Sequence, residues 1–372
     1  MITVAIYLGG HDLSITILEN EKLLHILQEN RFSRIKYDDL FPLKSIEKLP
    51  TLINHIDNLV LCGVATSNKY LKIYIVNWLT KHNLTPKHIH IFPPEEHHIF
   101  HAASAFYGSG LDNAACLSID GWGGGEFINN SSDGHPANVT TSIYYASYPS
   151  IFETKYLNFQ YDALLLESFF EKNLPKKPYK SDYHTNLDIG NLYYTVSNFL
   201  GFPEIGDAGK VMGLSSYGKF NSKIPPILYN NTLYANANVF RSDRTVNTKL
   251  NPILQKINKE LAQDLAYAVQ EALNTIFIER IKQTLDIVKT NNIVFSGGCA
   301  LNVIGNYQIK KHFPKINFYI DPIANDSCIS YGAAKLFYYQ LTNSKIRSPL
   351  ETLYQGPRYS KQDLLNSIQK YV

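Results

Sequence analysis

Short, almost continuous apolar runs that end in glycine turns mark the first part of the chain. Ile2–Leu8 is apolar at nearly every position, the pattern of a strand buried on both faces, and it meets Gly9-Gly10. Leu13–Leu18 reads as a second strand, Glu19-Asn20-Glu21 as a hairpin turn, and Lys22–Gln28 as a third strand. Asn58–Val64 is a further buried strand and Tyr70–Leu79 has helical spacing. His88–Phe92 is a short strand that leads through Pro93-Pro94 into a helix carrying His97 and His101. Ala114–Ile119 returns to strand and ends at Asp120, followed by a glycine-rich turn, Gly121-Trp122-Gly123-Gly124-Gly125.

From Phe127 to Lys180 the pattern blurs, with a strand over Ser142–Tyr148 and a loop over Pro175–Tyr183. Leu192–Leu200 and the segment around Gly209–Ser216 read as helices, and Ile253–Val288 as one or two long amphipathic helices. A buried strand at Ile293–Phe295, a turn at Gly297-Gly298, a helix from about Leu301, a strand at Ile316–Ile320 and a helix from Ile329 to Leu341 follow. The outline is two α/β units, residues 1–112 and 113–345, and a tail over 346–372. Turns near residues 9, 121 and 297 are what a duplicated nucleotide-binding fold places around one cleft, because bare backbone N–H groups there approach an anion closely.

Composition narrows the class. At 372 residues, 45% apolar and 18% charged, the chain is long enough for two cores and describes a globular protein. The net charge of +3 is mild and no Lys/Arg block forms a stripe, so nucleic acid is not an expected partner. No basic residue precedes the first apolar run and no stretch has the length of a membrane span, so neither export nor a membrane is expected. Four widely separated cysteines, Cys62, Cys116, Cys299 and Cys328, suit reduced thiols, and a cytoplasmic location follows as the expectation.

Several stretches could carry chemistry. His97 and His101 stand one helical turn apart, so they share a face, and two imidazoles at that spacing can hold one divalent metal. With twelve histidines in the chain such a pair also arises by chance, and alone it is a weak motif. Asp12 is either a carboxylate that orients a metal or water, as in phosphotransfer folds of the actin and sugar-kinase type, or an ordinary turn residue. Asp120, at a strand end over a long glycine run, favours a metal or phosphate site over a plain turn. Ser296-Gly297-Gly298-Cys299-Ala300-Leu301-Asn302 suits a ligand at a helix start but lacks the Gly-Lys-Ser/Thr of a Walker A loop. Asp326 reads as the cap of the helix beginning near Ser327. Lys210 is a phosphate contact or a solvated lysine; Arg31, Arg34 and Lys36 line a phosphate-binding edge or the outer face of a strand.

Taken in order, these motifs resemble a known family. Gly9-Gly10-His11-Asp12-x-Ser14, Glu29-x-Arg31-Phe32-Ser33-Arg34-x-Lys36, His97-His98-x-x-His101-Ala102, Ser118-Ile119-Asp120-Gly121, Gly209-Lys210-Val211-Met212-Gly213-Leu214, Ser296–Asn302 and Asp326-Ser327 resemble the O-carbamoyltransferases that act on antibiotics and nodulation factors. The resemblance runs from residue 2 to about residue 360 and is weakest over 127–180. It implies a duplicated actin-like ATPase fold, close to that of the enzymes that attach threonylcarbamoyl to tRNA adenosine. It implies that His97, His101, Asp120 and Asp326 bind an iron-type divalent metal, and that His11, beside Asp12, is a base near the reacting carbamoyl group. The implied donor is carbamoyl phosphate, activated with ATP to carbamoyladenylate; a hydroxyl attacks the carbamoyl carbon and AMP leaves. The expected nucleotide contacts are Gly121, Gly123, Lys210, Gly213, Ser296, Gly297, Gly298 and Asn302. The acceptor, a sugar or natural-product hydroxyl, is expected to meet loops within 127–185.

The sequence departs from the family in three places. Cys328 replaces the usual glycine two residues after the last aspartate, and Asp188-Ile189-Gly190 replaces the usual Ser-Leu-Gly. Family members continue into an adenylating domain, whereas this sequence stops at Val372, just after Gly356-Pro357-Arg358-Tyr359-Ser360, which resembles the linker into that domain, so a separate adenylating subunit is the expected source of the intermediate. A non-catalytic nucleotide-binding scaffold is the alternative. The tRNA-modifying reaction is disfavoured by the matches at Arg31–Lys36 and Gly209–Leu214.

Overall fold

The computed structural model describes residues 1–372 except 39–40, 129–134, 162–176, 230–231, 357–358 and 370–372. The acceptor loops expected within 127–185, and the middle of the linker-like Gly356–Ser360, therefore lie partly outside the described residues.

β1 (Ile2–Tyr7), β2 (Ser14–Glu19), β3 (Lys22–Gln28), β4 (Ile56–Cys62) and β5 (Pro86–Ile91) form one sheet in the order β3-β2-β1-β4-β5. β6 (Asn113–Ile128), β7 (His135–Ser147), β8 (Ile151–Gln160), β9 (Lys180–His184), β10 (Asn292–Ser296) and β11 (Asn317–Ile320) form a second, in the order β11-β10-β6-β7-β8-β9. The first strand of each unit pairs antiparallel with the next strand in the chain and parallel with a later one: β1 with β2 and β4, β6 with β7 and β10. The second sheet thus repeats the first and adds β9 at its edge. This is the duplicated arrangement that the strand pattern predicts, and the actin-like fold that the resemblance implies.

The helices used below are α1 (Glu29–Ser33), α2 (Lys69–Lys81), α3 (His97–Ser109), α4 (Ile189–Phe199), α5 (Ala208–Ser215), α6 (Lys259–Val288), α7 (Val303–His312), α8 (Ile329–Thr342) and α9 (Lys361–Gln369). Strand periodicity explains the layers. Val4, Ile6 and Leu8 cluster with Ile75 and Leu79 of α2 on the outer side of the first sheet, while Ala5 and Tyr7 face inward. Likewise Ala115, Leu117 and Ile119 of β6 pack with α6, and Ala114 and Cys116 face inward. Between the sheets lie α3, against the second sheet, and α8, against the first. They cross so closely that a Cβ on Gly332 would meet the Phe100 carbonyl oxygen at 2.0 Å. Surrounded on all sides, α8 buries Ile329, Tyr331, Ala333, Leu336 and Tyr339 around its whole circumference.

Several sequence expectations are corrected. Gly121–Gly125 is not a turn: β6 runs on to Ile128, with register shifts between Ile119 and Gly125 that absorb the glycines as bulges. Lys180–Tyr183, expected as loop, pairs in β9 with the end of β8, and β8 itself falls in the stretch where no pattern was legible. Ile253–Val288 is a short 3-10 turn, Pro252–Lys256, and then one helix capped by Asn258. Arg31 sits on the short helix α1 and Arg34 closes it in a left-handed conformation, so neither lies on a strand. Among the described residues no helix is long and apolar enough to cross a membrane.

Candidate metal centre

The side-chain period that divides β1 and β6 between two cores also aims their ends at the central layer. Asp120 falls on the same face as Ala114, Cys116 and Ser118, toward α3, and Tyr7 on the same face as Ala5. His97 and His101 lie one turn apart on α3, and Asp326 opens the 3-10 turn Asp326–Cys328 that leads into α8. The four residues meet at one buried point, with one donor atom from each inside a group no more than 4.8 Å across. Two halves of the duplicated fold and the two central helices contribute.

Distances within the group have a specific meaning. The Nε2 atoms of His97 and His101 are 3.2 Å apart. Asp120 Oδ2 stands 3.5 and 3.7 Å from them, and Asp326 Oδ1 stands 3.5 and 3.4 Å. Most of these separations exceed a charged hydrogen bond. They match the edges of a coordination polyhedron, since two ligands about 2.1 Å from one ion lie roughly 3.0–3.5 Å from each other. Two imidazoles and two carboxylates suit a first-row divalent cation. The donor set therefore fits such an ion.

The remaining atoms of these residues are anchored by protein. Gly298 donates its N–H to Asp120 Oδ1 at 3.0 Å, and the Tyr7 hydroxyl donates to Asp326 Oδ2 at 2.6 Å. A Cβ on Gly123 would come within 2.1 Å of the His97 ring, so this glycine is the seat of His97. Burial opposes charge on all four residues, yet their mutual attraction prevails: both imidazoles are held above the usual histidine range and both carboxyls below theirs. The histidine between them behaves oppositely. His98 is buried between Ser142 Oγ and the Val139 carbonyl, each at 3.0 Å, and burial with the charge on His97 pushes its pKa down to about 3.

Other expected site residues divide into groups. His11 contacts Asp12 at 3.1 Å and is only partly buried. Burial disfavours its charged form, but Asp12, Asp326 and Asp120 raise its pKa to about 9. Tyr37 packs edge-on against His11, and its phenol occupies the space that a side chain on Gly206 would need. Beside it Lys36 and Lys210 converge on Asp207, at 3.7 and 2.8 Å, and form an exposed cationic rim. Gly121 and Gly213 have open space where a Cβ would be, whereas Gly297 takes a positive φ of 87° against the Ile119 carbonyl. Ser296 lies behind His101, its Oγ 3.5 Å from Nδ1. Asn302 caps α7 through the Gly305 N–H and exchanges two hydrogen bonds with Gln270.

Asp326 is not the helix cap that its position suggests: Asn325 holds the cap position and the Asp326 carboxylate turns to Tyr7 and the histidines. Sequence reading missed Tyr7, Ser104 and Asp321, which support the group from behind. Tyr7 carried a signal, because a phenol inside a strand buried on both faces needs an acceptor.

A family model described as the carbamoyltransferase N-terminus matches residues 59–335. An uncharacterized protein of Methanocaldococcus jannaschii, MJ1058, is 27% identical over 281 residues, 74% of this chain and 42% of its own length. Nodulation protein NolNO of Sinorhizobium fredii is 24% identical over 379 residues, 93% of this chain and 49% of its own. The chain therefore spans about half the length of these curated relatives. Among solved structures, full-length HypF in its phosphate- and nucleotide-bound form aligns over 91% of this chain and 56% of that one, with a TM-score of 0.50 and 14% identity, a likeness of fold alone.

Proposed function

This chain belongs to the carbamoyltransferase family, and from that premise we propose that it performs the transfer half of an O-carbamoyltransferase reaction. A carbamoyl group moves from carbamoyladenylate, made from carbamoyl phosphate and ATP, to a hydroxyl of a sugar or natural product; the new C–O bond forms as AMP departs. The observation that carries the reading is the convergence of His97, His101, Asp120 and Asp326 beside His11. When bound, a divalent cation of the iron type supplies Lewis acidity toward an oxygen of the donor.

The chain's own residues do the remainder. Tyr7 and Gly298 fix the two carboxylates, and Gly123 admits His97 to the group. His11, held by the Asp12 carboxylate 3.1 Å away, takes the proton of the attacking hydroxyl in its neutral form. Lys36 and Lys210, on the rim next to Tyr37, suit the phosphate of the leaving AMP, and the open backbone at Gly121 and Gly213 leaves room for it. HypF, whose fold is similar, is described in a nucleotide-bound form, which supports a nucleotide as a ligand of this fold.

AMP release from synthetic carbamoyladenylate tests this reading, with a panel of hydroxyl acceptors, with and without chelator, beside His101→Ala. Chelator-sensitive release that disappears in the variant is the expected result. Metal-loaded protein that releases no AMP with any acceptor would overturn the transferase reading in favour of a non-catalytic scaffold.

A further inference from the structure

His101 turns Nε2 toward the four-residue group and Nδ1 toward the protein. An imidazole that offers the Nε2 lone pair to a cation carries its proton on Nδ1, and that N–H, fully buried here, needs an acceptor. Two are in reach: Cys328 Sγ at 3.2 Å and Ser296 Oγ at 3.5 Å. Behind them stands a buried carboxylate. Asp321 Oδ2 accepts from Ser104 Oγ at 2.6 Å and from Ser296 Oγ at 3.4 Å, while Oδ1 accepts the Ile323 N–H at 2.9 Å. Ser104 lies one turn beyond His101 on α3, and its hydroxyl also faces the Cys328 thiol. A row of polar side chains thus runs from His101 to Asp321, every one of them buried. Packing alone would be served by small apolar residues at these places.

We propose that Cys328, Ser296, Ser104 and Asp321 form a second layer around the metal group, in which the Cys328 sulfur accepts the His101 Nδ1–H and Asp321 orients the two serines. These are positioning residues: they act through His101, setting its ring plane and which nitrogen carries the proton. The inference rests on the metal reading above and adds to it the role of a thiol that the site itself does not explain. Asp321 closes the row one residue further from His101 than a carboxylate that accepts a ligating histidine's N–H directly, and reaches the ring through the serines.

The test is titration of the full chain with Co2+ alone, following the visible spectrum of the bound ion, for wild type, Cys328→Ala, Cys328→Ser and Asp321→Asn. Cys328→Ala should bind Co2+ about tenfold more weakly, with a displaced spectrum, because Ser296 at longer range replaces the thiol. Cys328→Ser, which restores an acceptor, should return most of the affinity. Asp321→Asn keeps the side-chain shape and should also bind several-fold more weakly, so it carries the test if Cys328→Ala does not fold. A merely structural role would lower the melting temperature of the metal-free variants and leave the dissociation constant and spectrum unchanged; that result overturns the proposal. Failure of wild type itself to take up Co2+ overturns the metal reading, and this inference with it.

Discussion

Asp188 and Asp326 are both buried carboxylates, yet the first is surrounded by donors and the second by other ligands. Asp188 accepts from Thr140 at 2.7 Å, Asn158 at 2.8 Å, Thr141 at 3.2 Å and the Ile189 N–H at 2.8 Å, with the Arg280 guanidinium 3.9 Å away. Burial pushes its carboxyl up, but Arg280, His184 and these donors bring it below the usual range. Asp326 receives one hydroxyl, from Tyr7, and its other oxygen faces two imidazole nitrogens at 3.4 and 3.5 Å. The Asp188 carboxylate is enclosed by donors, although among the described residues Arg280 Nε and Nη2 beside it make no hydrogen bond, and the Asp326 cluster is arranged around a point. A carboxylate saturated by donors suits a role in the fold, whereas convergent ligand atoms with little between them suit a cation.

The largest expected effect breaks the Asp188 cluster. Arg280→Ala leaves Asp188 charged and unpaired in the interior and should destabilise the protein by about 3–5 kcal/mol in urea unfolding, while Co2+ affinity of the folded fraction stays the same. The Asp326 cluster should respond the other way. Co2+ at 100 times its dissociation constant should stabilise wild type by about 2.7 kcal/mol and leave Asp326→Asn unmoved, as read by thermal unfolding. Equal stabilisation of both proteins would place the ion elsewhere. Gly123→Ala pushes a methyl against the His97 ring and should cost about 1–3 kcal/mol in stability together with a loss of Co2+ affinity. The smallest effect belongs to an exposed pair. Lys87 meets Asp57 at 2.7 Å, and its hydrogen bond, with that from the Ile2 N–H, lowers the Asp57 carboxyl to about 2. Lys87→Ala should therefore cost no more than about 1 kcal/mol at neutral pH. Because the folded carboxyl is the stronger acid, its contribution is complete above about pH 4 and disappears as pH falls toward 2. Unfolding curves of wild type and Lys87→Ala should converge over that window.

How much of this was legible in the sequence depends on whether the signal was local. The pairing of His97 with His101 is a property of one helix, and the inward aim of Asp120 follows from alternation along one strand. Both could be read without knowing the fold. Asp326 could be assigned only through the family resemblance, because an aspartate before a helix is usually a cap, and the arrival of β1 and α3 from residues some 230 to 320 positions earlier turns it to another use. The glycine run after Asp120 misled for a related reason. Its residues are small to admit His97 and to lie against Glu95, which are tertiary demands, and a glycine needed for space looks in sequence like a glycine needed for a turn. Helix α6 was legible as amphipathic; β8 was not, because its pattern reports only which neighbours half-cover it.

The path of α8 has a consequence in time. The sheet it covers is made from residues 2–62, with β5 at its edge, but the cover itself is residues 329–342. At ribosomal speeds of about 5–20 residues per second, roughly tens of seconds separate the synthesis of the sheet from that of its lid. Throughout that interval the apolar face of Ala5, Tyr7, Val60 and Cys62 lacks the α8 residues, among them Ile329, Ala333 and Leu336, that complete its core. Folding of the first sheet during synthesis is thus tied to a segment made last, a demand separate from the stability of the finished molecule.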